Sequence, residues 1–287
     1  MKVWAITLDV STLNSTAFEI YYTRGLQFVD EPAQTKIKRF FRREDAFRSL
    51  VGNLLPRVML HERGVPVSSV KFAKTEANKP YICTPITDLP EHEHLHIGYN
   101  VTHDAGLIAM AFEVGTTPDQ PWIDSPAHRI GVDVMHLSIP DRFTLQAFVE
   151  TVGDALTPYE KQTLNPSPPV SSSEALYHFY LIWTLKEAYT KALGLGLGFD
   201  FQRIEYDKTK NRVKVDGIIL KGWTFDIFRV PDPQGKEGDQ GYIGVAAKCV
   251  GGKREAVVRR SPQSSDLFSL SIITAEEFMS RALREFE

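Results

Sequence analysis

The chain has 287 residues, 43% of them hydrophobic and 24% charged, with a formal net charge of −3 at pH 7. This is the composition of a soluble globular protein. It excludes a disordered or fibrous chain, and without a basic excess it argues against nucleic acid as a partner, so any anion site must be a local patch. The length suffices for one large domain or two small ones, and two are favoured.

The opening "MKVWAITLDV" predicts a strand over residues 2–8, cut off too soon by Asp9 for a signal peptide. No run of about 18 apolar residues follows, so no membrane span is expected. Cys83 and Cys249 are the only cysteines, which fits a reducing compartment and a cytosolic protein. Residues 43–62 place Phe47, Leu50, Val51, Leu54, Leu55 and Val58 at helical spacing, with Pro56 expected to kink that helix. Strand-like runs follow at "SSVKFAKT", "LHIGYNV", "GLIAMAFEV" and "RIGVDVMHL". Residues 115–128, "GTTPDQPWIDSPAH", are the candidate linker. Helices are predicted near 141–150 and over 172–193, the second behind a serine cap, then strands at 203–207, 212–220, 223–230 and 241–248 and a last helix at 274–285. The pattern is α+β, read as two similar lobes, 1–121 and 122–287.

In "WTLKEAYTKALGLGLG", Trp183, Glu187 and Lys191 follow one another at four-residue spacing and share one helix face, with Lys186 one step around it. An exposed Glu-to-Lys pair with a glycine C-cap is the plain alternative. Gly194, Gly196 and Gly198 follow a helix instead of opening one, the wrong order for a dinucleotide fingerprint. In "IGVDVMHL", Asp133 interrupts an apolar strand, which is costly to bury unless it is paired or holds a metal. Together with Glu187 it offers two hard oxygen ligands, the number that suits Mg²⁺ beside substrate phosphates. The run "KIKRFFRREDAFR" is either a solvated face or a phosphate patch. His92, His94 and His96 in "EHEHLH" alternate as on an exposed strand edge, with a transition-metal site as the other reading.

In this order, the helix "RREDAFRSL", Lys79-Pro80, "YNVTHD", "GVDVM", "LTPYE" and "WTLKEAYTKALGLGL" resemble the Sfp-type 4'-phosphopantetheinyl transferases over about residues 36–200. The resemblance implies two α/β lobes related by a pseudo-twofold axis, with coenzyme A and Mg²⁺ in the cleft between them. Asp133 and Glu187 would hold the metal, and Lys191 and Lys186 the pyrophosphate. His103, Thr102, Lys79, Pro80, Arg43 and Arg48 would hold the 3'-phosphate and adenosine. Glu187 would act as base for a carrier-protein serine, with Lys191, Lys186 and His103 completing the catalytic set. Met135 stands where bacterial members often have a second carboxylate and resembles the eukaryotic, broad-specificity members that serve fatty-acid, polyketide, nonribosomal-peptide and aminoadipate-reductase carriers. The sequence reading favours a vacant ligand position there. A monomeric enzyme is expected. A carrier-binding homologue without turnover and a metal-dependent hydrolase are the rival readings.

Overall fold

In the computed structural model, which describes residues 1–66, 68, 70–82, 96–115, 129–139, 143–164, 171–195, 198–235, 240–260 and 267–286, the apolar amino-terminal run is strand β1 (Lys2–Thr7). Two helices not anticipated from the sequence follow, α1 (Thr16–Gly25) and α2 (Glu31–Lys38). Ser15 and Asp30 cap them by accepting the Phe18 and Ala33 amide protons. Helix α3 (Arg43–His61) contains Pro56 and buries its periodic apolar residues. The basic run is therefore not one helix: α2 ends at Lys38 and α3 begins at Arg43.

A short ribbon, β2 (Phe72–Lys74) and β3 (Pro80–Ile82), precedes the hairpin of β4 (His96–Asp104) and β5 (Leu107–Gly115). Strand β6 (Ile130–His136) leads through α4 (Leu145–Thr151) and α5 (Pro158–Leu164) to α6 (Ser172–Leu193). Ser171 caps α6, accepting the Glu174 amide proton, and Gly194 ends it at φ 71°, a left-handed C-cap that glycine adopts without steric cost. The strand expected over 212–220 is two, β8 (Arg212–Val215) and β9 (Ile218–Ile219), which extend β7 (Ile204–Asp207). An Asp216-Gly217 turn with both φ values positive divides them, a hairpin signal that the sequence reading missed. The remaining elements are β10 (Trp223–Val230), β11 (Tyr242–Cys249), β12 (Val257–Arg260), β13 (Ser269–Thr274) and α7 (Ala275–Phe286).

Two four-stranded sheets organise these parts, in the orders β13-β1-β5-β4 and β12-β10-β11-β6. The same unit occurs in each. In β1-α3-β4-β5 and again in β6-α6-β10-β11, the last strand lies between the first and third and runs antiparallel to both. A parallel strand then extends each sheet, β13 beside β1 and β12 beside β10. Strand alternation fills three cores. Trp4, Ile6, Ile108 and Met110 pack with α3 and α7, and Ile243, Val245 and Ala247 pack with α6. Val3, Ala5, Ala109, Val132, Val134 and Ala246 are buried between the sheets. The fold is thus α+β with two sheet-containing halves. Although β13 and α7 lie late in the chain, they complete the first sheet and its core. The 121/122 division falls outside the described residues. Among the described residues no helix is long and apolar enough to cross a membrane.

Candidate active site

On β6, Val132 and Val134 enter the core between the sheets, so Gly131, Asp133 and Met135 lie on the opposite face, toward α6. Gly131 permits the close approach: a Cβ there would lie 2.0 Å from the Ala188 carbonyl oxygen and 2.4 Å from the Ala192 nitrogen. Lys191 on α6 donates from Nζ to Asp133 Oδ1 at 2.6 Å and to Thr102 Oγ1 at 3.0 Å, and Thr102 itself donates to Asp133 Oδ1 at 3.2 Å. Thr102 belongs to β4, so both sheets build this cluster.

Asp133 is 4% exposed, and its Oδ2 is buried without a hydrogen bond among the described residues. Burial raises its pKa, opposed by the Lys191 ammonium and its hydrogen bond. Glu187, one turn before Lys191, is half-buried. Burial raises its pKa as well, Lys191 opposes, and the Asp133 charge adds to the rise.

Two neighbours in "YNVTHD" went unassigned in the sequence. Asn100 Oδ1 accepts the Val132 amide proton at 2.9 Å, and Asp104 Oδ2 accepts that of His136 at 2.7 Å. With Thr102 between them, these alternate residues of β4 hold β6 in register across the gap between the sheets. Their polar alternation was the available signal. His103 keeps solvent contact, yet the protein volume around its ring, followed by the Arg48 and Lys191 charges, lowers its pKa. Arg48 donates from Nε to the Ala105 carbonyl at 2.6 Å and pairs with Asp45 at 2.7 Å, which brings it to the same hairpin turn.

Other expected site residues lie elsewhere. Lys186 is fully buried and donates to Glu160 Oε2 at 2.6 Å and to the Ala155 and Phe201 carbonyls at 2.8 and 3.1 Å. One residue around α6 takes it away from the cleft, and its ammonium holds the "LTPYE" segment in place of any pyrophosphate. Lys79 is also buried, with Nζ 2.9 Å from both the Ile130 and Ala192 carbonyls, so it clasps the end of α6 to β6. Burial lowers its pKa to about 7. Pro80 beside it opens β3. Arg43 pairs with Glu19 of α1. Met135 is half-buried against the core beneath α6, which favours a packing role over a vacant ligand position. His92 and His94 lie outside the described residues, as does the His96 side chain.

A buried carboxylate oxygen with no donor among the described residues, beside a second carboxylate and a lysine, fits a hard divalent cation, because Mg²⁺ takes one or two protein carboxylates and leaves its other positions to water and phosphate oxygens. The comparisons with known proteins bear on the same residues. Residues 129–228, with Asp133, Glu187 and Lys191, match the model of the 4'-phosphopantetheinyl transferase superfamily, and residues 17–115 match that of the 4'-phosphopantetheinyl transferase N-terminal region. A 4'-phosphopantetheinyl transferase of Paxillus involutus, pptA, is 45% identical over 291 residues, covering 99% of each chain. The chain belongs to the 4'-phosphopantetheinyl transferase family. More distant similarity joins this transferase to a human L-aminoadipate-semialdehyde dehydrogenase-phosphopantetheinyl transferase, 24% identical over 90% of this chain and 80% of the relative. It also joins it to the 4'-phosphopantetheinyl transferase Sfp of Bacillus subtilis, 28% identical over 76% and 80% respectively. As a phosphopantetheinyl transferase it uses coenzyme A as its substrate.

Proposed function

We propose that this transferase moves the 4'-phosphopantetheine arm of coenzyme A onto a serine of apo acyl- or peptidyl-carrier domains and releases 3',5'-ADP, using Mg²⁺ held by Asp133 and Glu187. The observation that carries the metal assignment is the orphaned Asp133 Oδ2, buried beside Glu187 and Lys191. In the reaction, the serine oxygen bonds to the β-phosphorus as the pyrophosphate P–O bond breaks, and the serine proton needs an acceptor. Glu187, whose burial raises its basicity, takes that proton directly or through a water. Lys191, fixed by Asp133 and Thr102, stabilises charge on the pyrophosphate oxygens. Mg²⁺ would supply further neutralisation of that charge when bound. His103 and Arg48, gathered at the β4–β5 turn, suit the 3'-phosphate.

Phosphopantetheinyl transfer, the activity in the names of the relatives, supports carrier domains as partners, and the name of the human protein suggests an L-aminoadipate-semialdehyde dehydrogenase among them. Fatty-acid, polyketide and nonribosomal-peptide synthases fit the same chemistry. We further propose a cytosolic monomer whose two lobes are 1–121 and 122–287, with the last strand and helix of the second packed on the first. The test is intact-mass analysis of an apo carrier domain incubated with the protein, coenzyme A and Mg²⁺. A phosphopantetheine adduct is expected, and an unmodified carrier beside well-folded protein overturns the reading.

A further inference from the structure

Between α2 and α3 the chain reads "KIKRFFRR" over residues 36–43. Ile37 is fully buried and pins the segment, while Phe40 is 39% exposed and Phe41 101% exposed. A lone exposed apolar residue needs no explanation. Phe41, however, stands at the lip of a recess of about 220 Å³ walled by Leu13, Phe18, Tyr22 and Phe47, with the Glu19–Arg43 ion pair at its edge. Lys36, Lys38, Arg39 and Arg42, within five residues of Phe41 in the chain, are exposed, and among the described residues none of these four is ion-paired. An apolar recess beside a run of exposed cations results, on a protein whose net charge is −3. At 100° per residue, Arg43, Ala46 and Phe47 share the helix face toward the recess, and Arg48 lies about 140° further round than Arg43, at the β4–β5 turn. The recess is therefore beside the cleft and separate from it.

We propose that the recess and the run of cations beside it dock the protein substrate: an acidic surface segment of the carrier domain that inserts one apolar side chain beside Phe41. This rests on the carrier-modification reading above. Charge complementarity selects the occupant, because unpaired Lys and Arg beside an apolar recess steer an acidic partner and suppress a basic one. Aromatic and Arg side chains of this kind also dominate interface energetics. The distance is suitable. Five residues at about 1.5 Å each separate Arg43, at the edge of the recess, from Arg48 along the helix axis, and Arg48 touches the turn that ends β4. A small domain of about 100 residues, with a radius of gyration of about 13 Å, spans both places, seating one flank on the recess while its serine enters the cleft. A lipid surface is the less suitable occupant, because a planar interface leaves a concave site unfilled.

The test uses the full chain with F41A and the double variant R39E/R42E, varying an apo carrier domain at saturating coenzyme A. F41A is expected to raise the carrier KM about tenfold or more with the coenzyme A KM and Tm unchanged. R39E/R42E is expected to lower kcat/KM for the carrier and flatten its salt dependence. Wild-type carrier KM in both variants overturns the docking site and leaves the transfer reading standing, whereas a wild-type protein that modifies no carrier overturns both. Co-sedimentation of the wild type with phosphatidylserine vesicles, lost in F41A while the carrier KM stays constant, overturns the proposal in favour of a lipid surface.

Discussion

In the first sheet unit, β1 sends Trp4 and Ile6 into a core shared with Leu50, Leu54 and Val58 of α3, and every one of these residues is apolar. In the second, the corresponding strand-to-helix contact is made by Gly131, Asp133 and Met135 under α6, and the helix answers with Glu187 and Lys191. Within the three-stranded unit strand order and pairing are the same, although the added parallel strand lies beside the first strand in one sheet and beside the third in the other. Burying a carboxylate is unfavourable without partners, and Asp133 finds one in its own unit, Lys191, and one in the other, Thr102. A repeated fold thus supports chemistry only where one unit has exchanged apolar packing for charge and the other has an edge strand within reach.

The sharpest way to break this comparison is to change equivalent helices. Glu187→Gln keeps size and packing, and is expected to lower turnover by about 10²–10⁴-fold with Tm unchanged. Leu54→Ala, in the fully buried face of α3, should cost about 2–5 kcal/mol of stability while activity per folded molecule persists. Turnover of the wild-type order in a folded Gln variant removes Glu187 from the reaction.

Lys186 tests which face of α6 is chemical. Lys186→Met leaves Glu160 with its charge uncompensated in the core, at a cost of about 3–5 kcal/mol in urea unfolding, and adding Glu160→Gln should recover part of it. A stable Lys186→Met protein without turnover would return the residue to the reaction.

Gly131→Ala sets a methyl against backbone atoms of α6 and should cost about 1–3 kcal/mol together with activity, because Lys191 and Glu187 move with the helix. Unaltered denaturation and kinetics would show that α6 can retreat without consequence.

The smallest effect is one of pH. Between about pH 7 and 10.5 the folded Lys79 binds fewer protons than the unfolded one, since burial lowers its pKa from 10.5 to about 7. Its contribution therefore makes stability rise with pH across that window, by at most about 1.4 kcal/mol per pH unit. Lys79→Met lacks this slope, so the wild type should gain stability relative to the variant from pH 7 to 9, and the difference between them should shift by that amount. A constant gap would mean a solvated, protonated ammonium available to phosphate.

The sequence by itself determined the elements whose signals are local. Helix α6 was read to the residue because Ser171 and Gly194 mark its ends, and β10 because it alternates between two turns. Asp133, Glu187 and Lys191 stood out because a carboxylate in an apolar strand and charges at four-residue spacing are visible without partners. The adjacent Lys186 and Glu187 cannot be separated in this way. A step of 100° places Lys186 in the core and Glu187 in the cleft, and only the packing of α6 on β6 decides which side is which. The use of Lys79 as a clasp, the registration of β6 by Asn100 and Asp104, and the return of β13 to β1 were likewise illegible. Each joins residues far apart in the chain, and the pairing is fixed by which groups the closed core leaves to be satisfied, a property no single segment contains.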